Sequence, residues 1–174
     1  MTSAPMRKLL DALYDSAAAL AALFMIGLLV MVLLSIFGRQ FHFYLRGTDA
    51  YAGYLMAGAS FLAMAHTLKK GEHIRVTLII GWLRSAARRG VELWSLTASS
   101  LLAVLLAFYS CRLVWQSLVF NDMSTGNDAT PLCIPQLGMA VGSVIFAIAF
   151  IDETVLEWQG RRAHGQADEL LRNE

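Results

Sequence analysis

Charged side chains are scarce in this 174-residue sequence: they make up 16% of it, against about 25% in an average soluble domain. The two cysteines form no CxxC pair, and no P-loop, HExxH or glycine-rich dinucleotide motif is present. The net charge is only +1, so the sequence lacks the excess of basic residues that is typical of nucleic-acid-binding proteins. With 57% hydrophobic residues and a mean hydropathy of +0.54, the sequence predicts one compact membrane domain over residues 1–174, without a large soluble domain.

Charge is missing most completely from four long apolar stretches, which predict an all-α protein with four transmembrane helices. Each stretch reaches the ~20 residues that cross a bilayer core. The first is too long for the apolar core of a signal peptide, so we expect an uncleaved span. The third is longer than a span requires and is expected to tilt or to project beyond the lipid. The four predicted spans are residues 17–37, 49–68, 91–120 and 135–158.

Two amphipathic segments accompany these spans. A short lead-in before the first span groups Leu9, Leu10, Leu13 and Tyr14 on one side, as in segments that lie on a membrane surface. Residues 76–89 are too few for a span and predict a second surface helix, between the second and third spans. A polar tail, residues 159–174, follows the fourth span.

Basic residues predict the orientation. One side of the predicted topology carries 11 Lys and Arg residues and the other side 2, so the positive-inside rule places both termini in the cytoplasm. The Arg39–Arg46 loop and the Asn121–Ile134 loop then face the periplasm of a bacterial inner membrane. The residues expected to anchor the cytoplasmic surface are Lys69, Lys70, His73, Arg75, Trp82, Arg84, Arg88 and Arg89.

Small residues predict close helix packing. In the second span, Gly53, Ala57 and Ser60 share one face, and in the fourth, Gly138 and Gly142 form a GxxxG. Small faces let membrane helices approach closely, although GxxxG alone is a weak pattern that indicates packing and no activity. At the start of the second span, Thr48 is a candidate N-cap, and an acidic residue there suits the helix dipole.

The few ionisable groups near the spans bear on function. A bis-histidine haem needs two histidines at membrane depth, and only His66 lies there, so no cofactor is expected. No carboxylate is central, as a small proton-coupled exporter would need. An acidic trio ends the fourth span, and two interpretations stand: placement among headgroups, or pairing with arginines such as Arg88 or Arg89. The trio is Asp152, Glu153 and Glu157.

Arg112 is the one ionisable residue expected within the lipid slab. It either snorkels to the outer interface beside Trp115, or forms an ion pair or carbonyl contact with a partner helix. The neighbouring Cys111 would form a disulfide with Cys133 only if Cys133 lay at the same depth.

The second predicted span and its exit resemble the small membrane subunit of tripartite ATP-independent periplasmic (TRAP) transporters, the DctQ-like family. The similarity covers about Ala17–Trp158. The sequence departs from the family pattern at Ala50 and Gly53, where a second acid and a basic residue often stand, and at Thr77, where an aspartate often stands. The matching features are the acidic start at Asp49, the small-residue centre, the basic exit ending in His73-Ile-Arg-Val76, Arg39, and Thr130–Pro135.

The resemblance implies a non-catalytic scaffold subunit of a sodium-coupled importer. Such a subunit pairs with a larger membrane subunit that holds the substrate and sodium sites, and a periplasmic binding protein delivers an organic anion, often a carboxylate or sulfonate. The candidate contacts for the binding protein are Arg39, Arg46, Asp122 and Asp128. The candidate contacts for helix packing or the large subunit are Gly53, Ala57, Ser60, Gly138, Gly142 and Arg112.

Two other classes of function remain open at this point. An autonomous four-helix transporter or exporter would transport without other subunits, and the missing central acid argues against it. A membrane anchor of a redox enzyme would bind haem or quinone, and the placement of the histidines argues against it.

Overall fold

The chain folds into four helices and no strand within the part that the structure describes. The computed structural model describes residues 4–43, 45–70, 85–126 and 129–159. The predicted all-helical class is therefore confirmed, while most of the predicted surface helix 76–89 and nearly all of the polar tail lie outside the described residues. The helices are α1 (Ala4–Gln40), α2 (Thr48–Lys69), α3 (Ser85–Phe120) and α4 (Cys133–Trp158).

The helices form an open layer in the order α1–α2–α4–α3. α1 packs on α2, α2 on α4, and α4 on α3, whereas α1 makes only slight contact with α4. α2 and α4 therefore occupy the middle and α1 and α3 the two edges. We call the end of the layer near Tyr14, Lys69 and Asp152 the terminal end, and the end near residues 41–47 and 121–132 the loop end.

Three of the four helices are long and apolar enough to cross a membrane: Arg7–Gln40, Gly90–Phe120 and Cys133–Trp158. The most apolar window of the α4 span is 39% buried, against 6% in each of the two edge helices, because α4 has neighbours on both sides. α2 does not qualify by composition, since glycine, serine, tyrosine and histidine lower its hydropathy.

The edge helices bury small residues at alternating three- and four-residue spacing. On α1 the buried positions include Tyr14, Ala17 and Ala21. On α3 the buried positions follow the same spacing; they are Leu96, Ala103, Ala107, Ser110, Val114 and Ser117. A repeat of this kind presents one seam to a neighbouring helix, as in coiled coils, and alanine and serine keep the helix axes close.

Two sequence-based predictions need correction at the helix starts. The lead-in containing Leu9 and Tyr14 is no separate surface segment, because α1 is continuous from Ala4 to Gln40. Tyr14 is 1% exposed, so this turn packs inside the layer and cannot lie flat on a membrane. The N-cap of α2 is Gly47 and not Thr48; its φ of 82° is a left-handed conformation that glycine adopts without steric cost.

Candidate functional site

Glycines set the distance between α2 and α4. A Cβ added to Gly142 would lie 2.6 Å from the carbonyl carbon of Phe61, and one added to Gly138 would lie 3.3 Å from the Cα of Gly58. The ring of Phe24 on α1 covers Gly58, with its Cε2 atom 2.5 Å from the position of an added Cβ. The two glycines of the GxxxG therefore lie against α2, where three helices meet.

The small face predicted for α2 lies elsewhere. Gly53, Ala57 and Ser60 are exposed, and a Cβ added to Gly53 would meet nothing within 4 Å. The Ser60 hydroxyl donates to the carbonyl of Met56 on its own helix, at 2.8 Å. α2 packs instead through a different set of buried residues, which are Gly58, Ala59, Leu62, Ala65 and Leu68.

A lysine joins three helices at the terminal end. Lys69 Nζ lies 2.8 Å from Asp152 Oδ2 on α4 and 3.7 Å from Asp11 Oδ1 on α1. It also lies 5.0 Å from the centre of the Tyr14 ring, within the range of a cation–π contact. The Lys69 and Asp152 side chains are 21% and 15% exposed. Lys69 therefore points into the layer, which differs from its prediction as a headgroup anchor.

Further ionisable groups lie at the terminal end. His66 Nδ1 lies 3.6 Å from Asp15 Oδ1, and Glu153 and Glu157 are 8% and 4% exposed. Asp152, from the acidic trio, pairs with Lys69, a partner that the sequence did not suggest. Within the described ranges, no group of three histidine, cysteine or acidic side chains is arranged to hold a metal ion, and the thiols of both cysteines are free.

Two tyrosines attach the 121–132 loop to α2 at the loop end. The Tyr51 hydroxyl shares a 3.0 Å hydrogen bond with Thr130 Oγ1, and the Tyr54 hydroxyl donates to Ser124 Oγ at 3.0 Å. Within the loop, the backbone N–H of Ser124 donates to the carbonyl of Thr130 at 2.8 Å. This contact was not predicted from the sequence, where its signal is a pair of tyrosines three residues apart in the first turns of α2.

The predicted docking residues lie at this same end. Arg39, Arg46 and Asp122 are exposed, and Asp128 lies outside the described residues. Of the predicted surface anchors, Lys70 is exposed just after α2, and Arg88 and Arg89 belong to the first turns of α3. The remaining anchors lie outside the described residues: His73, Arg75, Trp82 and Arg84.

Arg112 lies in a groove between α3 and α4. The groove has a volume of about 370 Å³, and its polar lining comes from α3. Its lining residues are Tyr109, Ser110, Arg112, Leu113, Gln116 and Met139. Arg112 is exposed, and among the described residues none forms an ion pair or hydrogen bond with its side chain.

Comparison with known proteins decides the family. The family model described as tripartite ATP-independent periplasmic transporters, DctQ component, matches residues 28–160, which is more than half of the chain. The chain belongs to the DctQ family. The resemblance noted in the sequence is thereby confirmed. No curated protein and no solved structure matched the chain.

A DctQ chain is a component of a transporter and not an enzyme. The family works with a large membrane subunit and a periplasmic binding protein. The part of this DctQ chain that matches includes the glycine contact between α2 and α4, the tyrosine contacts of the loop, Lys69 and Asp152. Asp11 and Tyr14 precede the matched residues.

Proposed function

We propose that this DctQ chain is the small scaffold subunit of a sodium-coupled TRAP transporter in a bacterial inner membrane. The transporter imports an organic anion, a carboxylate or sulfonate, that a periplasmic binding protein delivers. The large membrane subunit holds the substrate and sodium sites, and this chain pairs with it and stabilises it. The chain spans the membrane four times, with both termini in the cytoplasm.

The open layer is the observation that carries this proposal. In the described part of the chain, the layer is one helix deep, with two broad faces and no site enclosed between them. Its edge helices expose large apolar side chains, for example Leu23 and Ile26 on α1 and Leu101 and Leu102 on α3, each at least 60% exposed. Such surfaces suit lipid and a second membrane protein. A transporter site needs buried polar groups at membrane depth, and the ion pairs between described residues lie at the terminal end.

The position of α2 supports its assignment as a fourth span. α2 lies between α1 and α4, both of which are apolar enough to cross a membrane, and it runs between the two ends of the layer. Because neighbours cover two of its sides, α2 needs less apolar surface than an edge helix. The excess of basic residues on the terminal side favours the cytoplasm there.

Affinity purification of the chain from its native membrane, in mild detergent, tests the proposal. We expect a much larger polytopic protein to copurify in stoichiometric amount. We also expect sodium-dependent uptake in proteoliposomes only when the chain, that protein and the binding protein are all present. A pure small homo-oligomer that transports alone would contradict the proposal and favour an autonomous transporter.

Charge reversal at the loop end tests the contact with the binding protein. Arg39→Glu combined with Arg46→Glu is expected to weaken binding-protein docking at least about tenfold, because complementary charges guide such encounters. The measurement is binding of the substrate-loaded binding protein to the reconstituted complex. The matched control is Arg39→Lys with Arg46→Lys, which keeps both charges and should bind as the unaltered complex does. Unchanged docking of the Glu variant would remove these arginines from the interface.

A further inference from the structure

Arg112 carries a charge at membrane depth on an exposed surface of the layer. It lies eight residues before the end of α3 at Phe120, a distance of about 12 Å along the helix axis. None of the described residues pairs with its guanidinium. An arginine in a membrane span is costly unless an anionic or carbonyl group meets it, so a ligand outside the chain is expected.

The side chains beside Arg112 divide into a polar and an apolar group. Tyr109 and Gln116 lie three residues before and four residues after it, which places all three along one side of α3. Leu113 and Met139 complete the groove with apolar surface from α3 and α4. The end of the groove nearer Gln116 therefore offers the guanidinium and amide donors, and Leu113, Met139 and the ring of Tyr109 offer a surface for hydrocarbon.

Arg112 lies within the span, one turn below the level expected for lipid headgroups. Trp115, one turn nearer the loop end, is 69% exposed, and exposed tryptophans concentrate where a membrane meets water. An arginine one turn below extends its long side chain toward that level. Arg112 and Gln116 both line the groove, so an anion bound there at the depth of the phosphate groups of the loop-end leaflet can meet both side chains.

We propose that this groove binds one phospholipid from the leaflet at the loop end. The guanidinium of Arg112 donates charge-assisted hydrogen bonds to the lipid phosphate, and the amide of Gln116 donates a further one. Tyr109, Leu113 and Met139 contact an acyl chain. Every phospholipid of this leaflet carries a phosphate, the anion complementary to a guanidinium. The site therefore needs no particular protein partner.

Native mass spectrometry of the purified complex, after repeated detergent washing, tests the site. The unaltered complex is expected to retain one more phospholipid per small subunit than Arg112→Gln, and to rebind phosphatidylglycerol at least about tenfold more tightly when it is added back. Arg112→Lys should retain part of the binding. The matched control is Arg46→Gln, which removes an exposed arginine outside the groove and should leave lipid retention unchanged.

Other outcomes separate this site from a protein contact. If Arg112→Gln retained the same lipid but lost the large subunit, Arg112 would bind a protein and the lipid site would be overturned. Equal lipid retention in both forms would also overturn it. Leu113→Trp is a second test, for use if Arg112→Gln fails to fold. It keeps the arginine but fills the groove, so it should also release the lipid. Lipid retention is measured on the chain whether or not a large subunit copurifies, so the result is independent of the proposed transporter function.

Discussion

Gly142→Leu is expected to abolish the packing of α2 on α4. A side chain at this position would begin 2.6 Å from the carbonyl carbon and 2.7 Å from the carbonyl oxygen of Phe61. These are backbone atoms of a helix, so they cannot rotate away as a side chain would. Overpacking costs about 1–3 kcal/mol where neighbours adjust. Against backbone we expect a loss of at least about 3 kcal/mol, since close contact of small residues is what joins membrane helices.

The unfolding of each variant in mixed micelles, followed by circular dichroism during a titration with sodium dodecyl sulfate, measures this loss. Gly53→Leu makes the same replacement at a glycine with nothing within 4 Å and should unfold as the unaltered chain does. Gly138→Ala should lie between them, because its Cβ would be 3.3 Å from Gly58. If Gly142→Leu and Gly53→Leu unfolded alike, the crossing of α2 and α4 would not be the one described.

Lys69→Met is expected to destabilise the terminal end by about 3 kcal/mol. The substitution leaves the carboxylate of Asp152, which is 15% exposed, without the cation 2.8 Å away. Removing one partner of a buried pair costs about 3–5 kcal/mol because the remaining charge stays buried. We expect the lower end of that range, since Lys69 is 21% exposed and water reaches the pair. The same titration measures the change.

Two further variants identify the source of the effect. Lys69→Met with Asp152→Leu removes both charges and should recover most of the lost stability, because no unpaired charge remains. Tyr14→Phe keeps the ring beneath Lys69 and removes a buried hydroxyl without a hydrogen-bond partner among the described residues, so it should cost little. If the single variant Lys69→Met were as stable as the unaltered chain, the Lys69–Asp152 pair would contribute no more to stability than an ordinary surface ion pair.

The helices and the family were predictable from the sequence, because both depend on local features. Apolar length indicated three helices that are long and apolar enough to cross a membrane, and the exit ending in His73-Ile-Arg-Val76 indicated the DctQ family. The start of α1 was misjudged for a local reason too. An apolar stripe of leucine and tyrosine looks the same whether it meets a membrane surface or the neighbouring helices.

The packing faces could not be predicted, because they depend on residues distant in sequence. α2 carries small residues on several sides, so spacing alone did not distinguish Gly53, which is exposed, from Gly58, which is buried. The partner of Lys69 comes from a helix 83 residues later in the chain. The contact between Tyr54 and Ser124 likewise joins positions 70 residues apart. A single sequence contains no record of such pairings.

The order α1–α2–α4–α3 also divides the chain into two consecutive helical hairpins. α1 with α2 forms the first and α3 with α4 the second, and the described contacts between them run mainly along α2 and α4. In the proposed four-span topology, each hairpin enters the bilayer as a unit, in the manner of two-stage membrane folding. The glycine contact at Gly142 and the Lys69–Asp152 pair then form together, when one preinserted hairpin slides against the other.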